Sequence, residues 1–334
     1  MTHSTTTTTA ATDPAAATPM LSVRDLEVRY GGLPVVHGVD LEVHAGEILG
    51  LIGESGSGKS TVGRAMLGLL PAGGRVSRGR IHVGTPDGPT DLVSASTRER
   101  RGQLGRTLGL IPQGANASLN PVMTCLQHFR VVLRNRGIRD RAQIRERATS
   151  SLLRAGIHDP ERVLELYAHE MSGGMAQRVV VGLAIVTNPS VLIADEPTSA
   201  LDVTVQRKLL DNLTRMVHEE GTACLLISHD LGLMAHYCQR LLVLYHGVVV
   251  ESGPAAEVLH RPVHPFTARL VASVPGARSR AAHAYRAPGA GADQVCPNQA
   301  WCAQPDHATC GERRLPLREV GSRHHARTSP QEDR

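Results

Sequence analysis

Nine consecutive residues, Gly53-Glu54-Ser55-Gly56-Ser57-Gly58-Lys59-Ser60-Thr61, have the types and spacing to hold a chain of phosphates. Glycines let backbone N–H groups converge on phosphate oxygens, and the start of a following helix adds partial positive charge. Lys59 can then reach the β- and γ-phosphates, and the Ser60 hydroxyl can ligate Mg²⁺. The pattern carries weight only between a strand and a helix. Here the apolar run Ile48 to Ile52 reads as a buried strand, and Val62, Ala65, Met66 and Leu69 fall on one helical face before Pro71. A merely flexible Gly/Ser turn would need neither flank. The only lysines in the chain are Lys59 and Lys208. A compact ammonium persists where a planar guanidinium would not fit beside phosphates. The residues point to a nucleoside triphosphate.

Other polar residues stand where they could act on that ligand. The apolar run Val191-Leu192-Ile193-Ala194 delivers two adjacent carboxylates, Asp195 and Glu196, to a strand end. Asp195 would hold Mg²⁺, and Glu196 would polarise an attacking water. Leu108 to Ile111 reads as a strand leading to Gln113 on a loop. Ala223 to Ile227 reads as another, ending in Ser228-His229-Asp230. A histidine at the C-terminal edge of an open α/β sheet points into the ligand crevice, so His229 could orient the water. Most of the 17 histidines must be surface residues, and the case for His229 rests on position. Ser172-Gly173-Gly174 precedes an apolar helix, Val179 to Ile185, and could expose helix N–H groups to an anion or simply cap. Tyr30, at the end of an alternating strand, could stack on a flat base or serve as a core aromatic.

These residues need elements to carry them, and 334 residues suffice for one large domain or two smaller ones. Alternation in Leu26-Val28-Tyr30 and Val39-Leu41-Val43 predicts a small antiparallel sheet before the phosphate loop. Arg80 to Val83 adds a strand. Residues 122–170 read as helical and form an insertion between Gln113 and Ser172. A helix follows Asp202 through Leu209, and Leu241 to Glu251 reads as a hairpin turning at His246-Gly247. The net charge of +5 is spread along the chain, and aromatics make up 2% of it. That balance argues against a nucleic-acid partner and a base-stacking platform. No window holds the roughly eighteen apolar residues of a spanning helix. Residues 1–19 lack the pattern of a secretory signal and read as a disordered tail. Scattered Cys125, Cys224 and Cys238 suggest reduced thiols.

Taken in order, these motifs resemble the ATP-binding subunits of ABC transporters, over residues 20–275. Tyr30 matches the adenine-stacking loop, Gly53 to Thr61 Walker A, Gln113 the Q-loop, and Ser172-Gly173-Gly174 the LSGGQ segment. Asp195 and Glu196 match Walker B, Ser199 to Asp202 the D-loop, and His229 the H-loop. The resemblance implies an α/β fold: a P-loop NTPase (RecA-like) core with an N-terminal antiparallel β subdomain, a helical insertion at about 114–175, and a C-terminal extension over 276–334. It implies ATP and Mg²⁺ as ligands, with Ser60, Gln113 and Asp195 at the metal. It also implies Asp202 among the nucleotide-binding residues, and that two such domains face each other, each ATP being closed by the other's Ser-Gly-Gly helix.

Ala117-Ser118-Leu119-Asn120-Pro121, Met175, His264-Pro265-Phe266-Thr267 and Val274-Pro275 resemble the oligopeptide, dipeptide and nickel importer branch, although Gly114-Ala115 stands where that branch usually has Asp-Pro. The branch implies a second, different ATP-binding subunit forming a hetero-dimer with this one, two transmembrane permease subunits, an extracytoplasmic solute-binding protein, and a peripheral place on the cytoplasmic face of the membrane. An exporter subunit or a non-transport ABC ATPase is the alternative on the core motifs alone. Extensions in this branch often bind an iron–sulfur cluster through four cysteines. Here Cys296, Cys302 and Cys310 lie near that spacing, and His324-His325-Ala326-Arg327 stands where the fourth would fall. Three thiolates and a histidine could hold a cluster or zinc. Free thiols at a decayed site are the preferred reading.

Overall fold

The computed structural model describes residues 18–85, 88–199, 201–274, 317–321 and 323–327. Strands β1 (Leu21–Tyr30) and β2 (Leu33–Val43) form the hairpin that the alternation predicts. After β3 (Ile48–Ile52) and the phosphate loop comes α1 (Lys59–Leu67), then β4 (Gly74–Thr85) and β5 (Gly88–Asp91). An antiparallel sheet of order β2-β1-β4-β5 results, with β4 longer than the Arg80–Val83 strand expected. Helix α1 ends at Gly68, ahead of Pro71. Gly68 takes φ 65°, its N–H donates to the Ala65 carbonyl, and the Leu69 N–H donates to that of Arg64. This is a Schellman closure. Leu69 therefore falls off the buried face on which Val62, Ala65 and Met66 sit, and is 45% exposed.

The stretch read as helical resolves into short capped pieces. After α2 (Thr97–Gln103) and β6 (Leu108–Ile111) come α3 (Ala115–Ser118), α4 (Cys125–Arg134), α5 (Arg141–Arg154), α6 (Pro160–Glu165) and a 3₁₀ turn at Ala168–Glu170. Thr124 and Gln127 form a capping box on α4, while Asp140 and Asp159 cap α5 and α6. Phe129, Leu133, Ile144, Leu152 and Leu164 are buried in one core with α7 (Gly173–Ile185). That helix starts six residues before Val179, because Ser172 caps it and both glycines lie within its first turn.

The remaining elements are β7 (Val191–Asp195), α8 (Val203–Glu220), β8 (Ala223–Ile227), α9 (Leu231–Tyr237), β9 (Arg240–Tyr245), β10 (Val248–Pro254), α10 (Ala255–His260), α11 (Pro265–Ala272), β11 (Arg318–Gly321) and β12 (His324–Ala326). Helix α8 runs well beyond the Leu209 expected for it. The second sheet has eight strands in the order β11-β12-β10-β9-β3-β8-β7-β6. Its members β9, β3, β8, β7 and β6 are parallel. Near-continuous apolar sequence is what a strand covered on both faces requires. Alternate residues of β3 serve the two cores: Ile48 and Ile52 face the helices, Leu49 and Leu51 face the antiparallel sheet. Neighbouring parallel strands bring their C-terminal ends to one edge, the place where open α/β sheets hold ligands. Strands β3, β8, β7 and β6 thus present the phosphate loop, His229, Asp195-Glu196 and Gln113 along that edge.

The C-terminal region adds strands that no pattern announced. β12 pairs antiparallel with β10, and His324 Nε2 lies 2.6 Å from Glu251 Oε1, both side chains buried. Glu251 also accepts from the backbone N–H groups of Val263 and His264, each at 2.9 Å. His324 is therefore engaged by a buried carboxylate as part of the sheet. Cys296, Cys302 and Cys310 lie outside the described residues. Among the described residues no group of three or more His, Cys, Asp or Glu is arranged to hold a metal. Cys125, Cys224 and Cys238 are buried free thiols, and burial pushes the first two up to about 12.

Candidate active site

The phosphate loop runs from the end of β3 to the start of α1, pressed against the end of β9. A Cβ on Gly53 would lie 2.1 Å from the Leu244 carbonyl oxygen, so only glycine permits this approach. Gly58 precedes α1 with φ 101°, which turns the chain into the helix at Lys59. Lys59 Nζ donates to the Gly53 and Glu54 carbonyls, each at 2.9 Å. Burial pulls the ammonium's pKa below its usual value, opposed by the charges of Glu196, Asp195 and Glu54. The Ser57 hydroxyl is buried without a hydrogen-bond partner among the described residues. An unpaired buried hydroxyl beside a lysine and helix N–H groups fits a polyanion that supplies the missing acceptors.

Beside this loop the Ser60 hydroxyl donates to Asp195 Oδ1 at 2.9 Å. Burial raises the Asp195 carboxyl; the Ser60 bond and Arg64 oppose the rise, while Glu196 adds to it. Three carboxylates, from Glu54, Asp195 and Glu196, act on the single ammonium of Lys59. The Ser60 hydroxyl and the Asp195 carboxylate are oxygen donors of the kind that suits a hard divalent cation such as Mg²⁺. Gln113 Nε2 donates to Glu196 Oε2 at 2.8 Å, and His229 Nδ1 lies 3.1 Å from Glu196 Oε1. The Glu196 carboxylate is thus held on both oxygens. Its backbone takes φ 48°, in the left-handed region that is costly for a non-glycine residue, while its N–H donates to the Ile227 carbonyl at 2.9 Å.

Ser172, Gly173, Gly174 and Asp202 belong to a separate surface. Ser172 Oγ accepts from the Met175 N–H at 3.3 Å, and Asp202 Oδ1 accepts from the Thr204 and Val205 N–H groups at 3.0 Å. A Cβ on Gly174 would lie 3.3 Å from Val205 Cγ1, so the starts of α7 and α8 adjoin. An open groove of about 260 Å³ beside them is lined by Ser172, Gly174, Arg178 and Val205 together with Asp159 and Arg162. Tyr30 ends β1 half-buried, with its ring across Gly74, where a Cβ would come within 2.6 Å of Cε1. Gly56 of the loop takes φ 79°, and Ser55 and Thr61 complete it.

Two arginines at this site escaped the sequence reading. Arg64, on α1, bears on Asp195, and Arg269, on α11, pairs with Glu54 at 2.7 Å. Position on the helix after the loop could have flagged Arg64. Arg269 lies 215 positions from its partner and carries no local signal.

With strand ends, loop and carboxylates in place, the molecule is a nucleoside-triphosphate hydrolase built on an open mixed sheet with a parallel centre. The ABC transporter family profile matches residues 36–199. A probable peptide ABC transporter ATP-binding protein from Sinorhizobium fredii is 40% identical over 270 residues, covering 78% of each chain. The dipeptide transport ATP-binding protein DppD of Haemophilus influenzae is 37% identical over 261 residues, covering 77% of this chain and 78% of the relative. Among solved structures, the dimeric post-hydrolysis state of the ATP-binding cassette MJ0796 bound to ADP and Pi superposes with TM-score 0.63 at 25% identity, covering 71% of this chain and 99% of that one. The chain belongs to the ABC transporter family, as an ATP-hydrolysing ATP-binding subunit. Such subunits bind ATP with Mg²⁺. Among the described residues no helix is long and apolar enough to cross a membrane.

Proposed function

We propose that this ATPase powers uptake of peptides or a related small solute through separate membrane subunits, and that Glu196 is its catalytic base. The observation that carries the catalytic reading is the fixing of both Glu196 oxygens, by Gln113 and by His229, beside the Ser60–Asp195 pair. The backbone of Gly53 to Thr61 and Lys59 hold the phosphates, and Tyr30 carries the adenine. Mg²⁺ would be held by Ser60, Gln113 and Asp195, where it would neutralise charge on the β- and γ-oxygens. Glu196 accepts the proton of the attacking water, His229 orients that water, and Gln113 reports occupancy of the site to the neighbouring helices. Residues 20–275 form the ATP-binding domain, with residues 114–175 as its helical insertion.

Ser172, Gly173, Gly174 and Asp202 act on the nucleotide of a second ATP-binding subunit. Support comes from the exposure of Ser172, Gly173 and Asp202 and from the dimer in which the MJ0796 cassette was solved. Two permease subunits and an extracytoplasmic binding protein complete the assembly, which places this chain peripherally on the cytoplasmic face. Identity of 40% and 37% to peptide and dipeptide transport subunits supports the solute class. Replacing Glu196 by Gln tests the chemistry: ATP binding should persist while phosphate release falls about 10²- to 10⁴-fold. Turnover near that of the parent would refute the base. Growth on defined dipeptides after disruption of the gene tests the cargo.

A further inference from the structure

Glu54 places a carboxylate inside the phosphate loop, one residue past Gly53. A loop that must attract a polyanion is weakened by a negative charge of its own, unless that charge is cancelled nearby. Arg269 stands there: its Nη2 lies 2.7 Å from Glu54 Oε1. The arginine is in turn held from below. Its guanidinium carbon sits 5.4 Å from the centroid of the Phe266 ring, and Phe266 is fully buried. That ring lies 4.2 Å from the ring of Tyr245, the last residue of β9. The preceding residue, Leu244, carries the carbonyl against which Gly53 is pressed. The start of α11 is fixed as well, because His264 Nδ1 accepts the Phe266 N–H at 3.1 Å and Pro265 opens the helix. A continuous set of contacts therefore runs from β9 through Tyr245, Phe266 and Arg269 to Glu54. The Glu54 carbonyl accepts from Lys59.

We propose that Arg269 is a positioning residue for the nucleotide, cancelling and orienting the Glu54 carboxylate so that the loop and Lys59 present a net positive field to the triphosphate. The pair is half-exposed, so its part in fold stability is small. Its effect falls on the ligand. Without Arg269 the Glu54 charge faces the phosphates, and affinity drops. The inference rests on the proposal that Gly53 to Thr61 and Lys59 hold the triphosphate.

The test is ATP binding to the full chain, read by displacement of a fluorescent ATP analogue at low and high salt, with thermal melting alongside. Arg269→Ala should bind ATP about three- to tenfold more weakly at low salt, less so at high salt. Arg269→Lys, which keeps the charge, should recover most of the loss. Glu54→Gln in the Arg269→Ala background should restore affinity, because the uncancelled charge is gone. Parental affinity in Arg269→Ala would overturn the proposal. So would a double variant as weak as Arg269→Ala, which would leave Arg269 only its packing on Phe266. Lys59→Ala separates the underlying reading: if it binds as the parent does, the loop assignment fails; if it is weakened while Arg269→Ala is not, the Arg269 proposal alone fails.

Discussion

The phosphate-loop edge and the Ser172 surface are both rich in glycine, hydroxyl and carboxylate, yet they are built differently. At the first, polar side chains reach one another across the sheet: Ser60 to Asp195, Gln113 and His229 to Glu196, Lys59 back to its own loop. At the second, among the described residues, Ser172 and Asp202 each bond within the first turn of the helix that follows. Side chains that satisfy one another across neighbouring strand ends hold one another in place. Exposed caps leave the ends of α7 and α8 open to an outside partner. One surface is assembled by the chain itself. The other is left open at its helix starts, as the proposed site shared between two subunits requires.

Turnover should separate the two surfaces most widely. Ser172→Arg, a bulky cation at the open helix start, should leave ATP affinity of the dilute single chain intact while lowering hydrolysis in the assembled pair about 10²- to 10³-fold. Equal loss of affinity in the single chain would break the comparison. Lys59→Ala acts in the converse way, weakening ATP binding to the single chain about 10- to 100-fold through loss of a charge-assisted contact. Titration of ATP against dilute protein distinguishes the pair.

Changes outside both surfaces sharpen the contrast through the stability of the fold. Burial lowers His264 from its ordinary 6.5 to about 4, assisted by Arg327 and opposed by Glu251. The unfolded chain gains this proton as pH falls below 6.5, and the folded chain gains it only near 4. Stability is therefore full above 6.5 and declines through that interval, by about 3 kcal/mol at most. His264→Asn, which can still cap α11, should flatten this part of the melting-temperature profile. A smaller effect is expected from His324→Ala. Glu251 keeps two backbone donors, so the loss should be about 1–3 kcal/mol in denaturant unfolding, with ATP affinity unchanged.

What the sequence disclosed and what it hid follow from the range of the interactions. The four strand ends were readable because each joins an apolar run to a polar residue within a few positions. β12 was not: three residues, His324 to Ala326, have no pattern, and the strand is defined by Glu251, 73 positions away. Helix α1 was read two residues too long because Leu69 keeps the helical spacing while Gly68 breaks the backbone. The left-handed conformation of Glu196 leaves no trace in residue type, although it turns the carboxylate at the strand end. Arg269 likewise acts only through the fold.

The scarcity of lysine has a practical corollary. Lys208 lies open on α8, whereas Lys59 is 7% exposed and spends its hydrogens on two carbonyls. Reagents that acylate primary amines would thus meet one accessible side-chain address, far along the sequence from the loop. A fluorophore could be grafted there without touching the chemistry it is meant to watch.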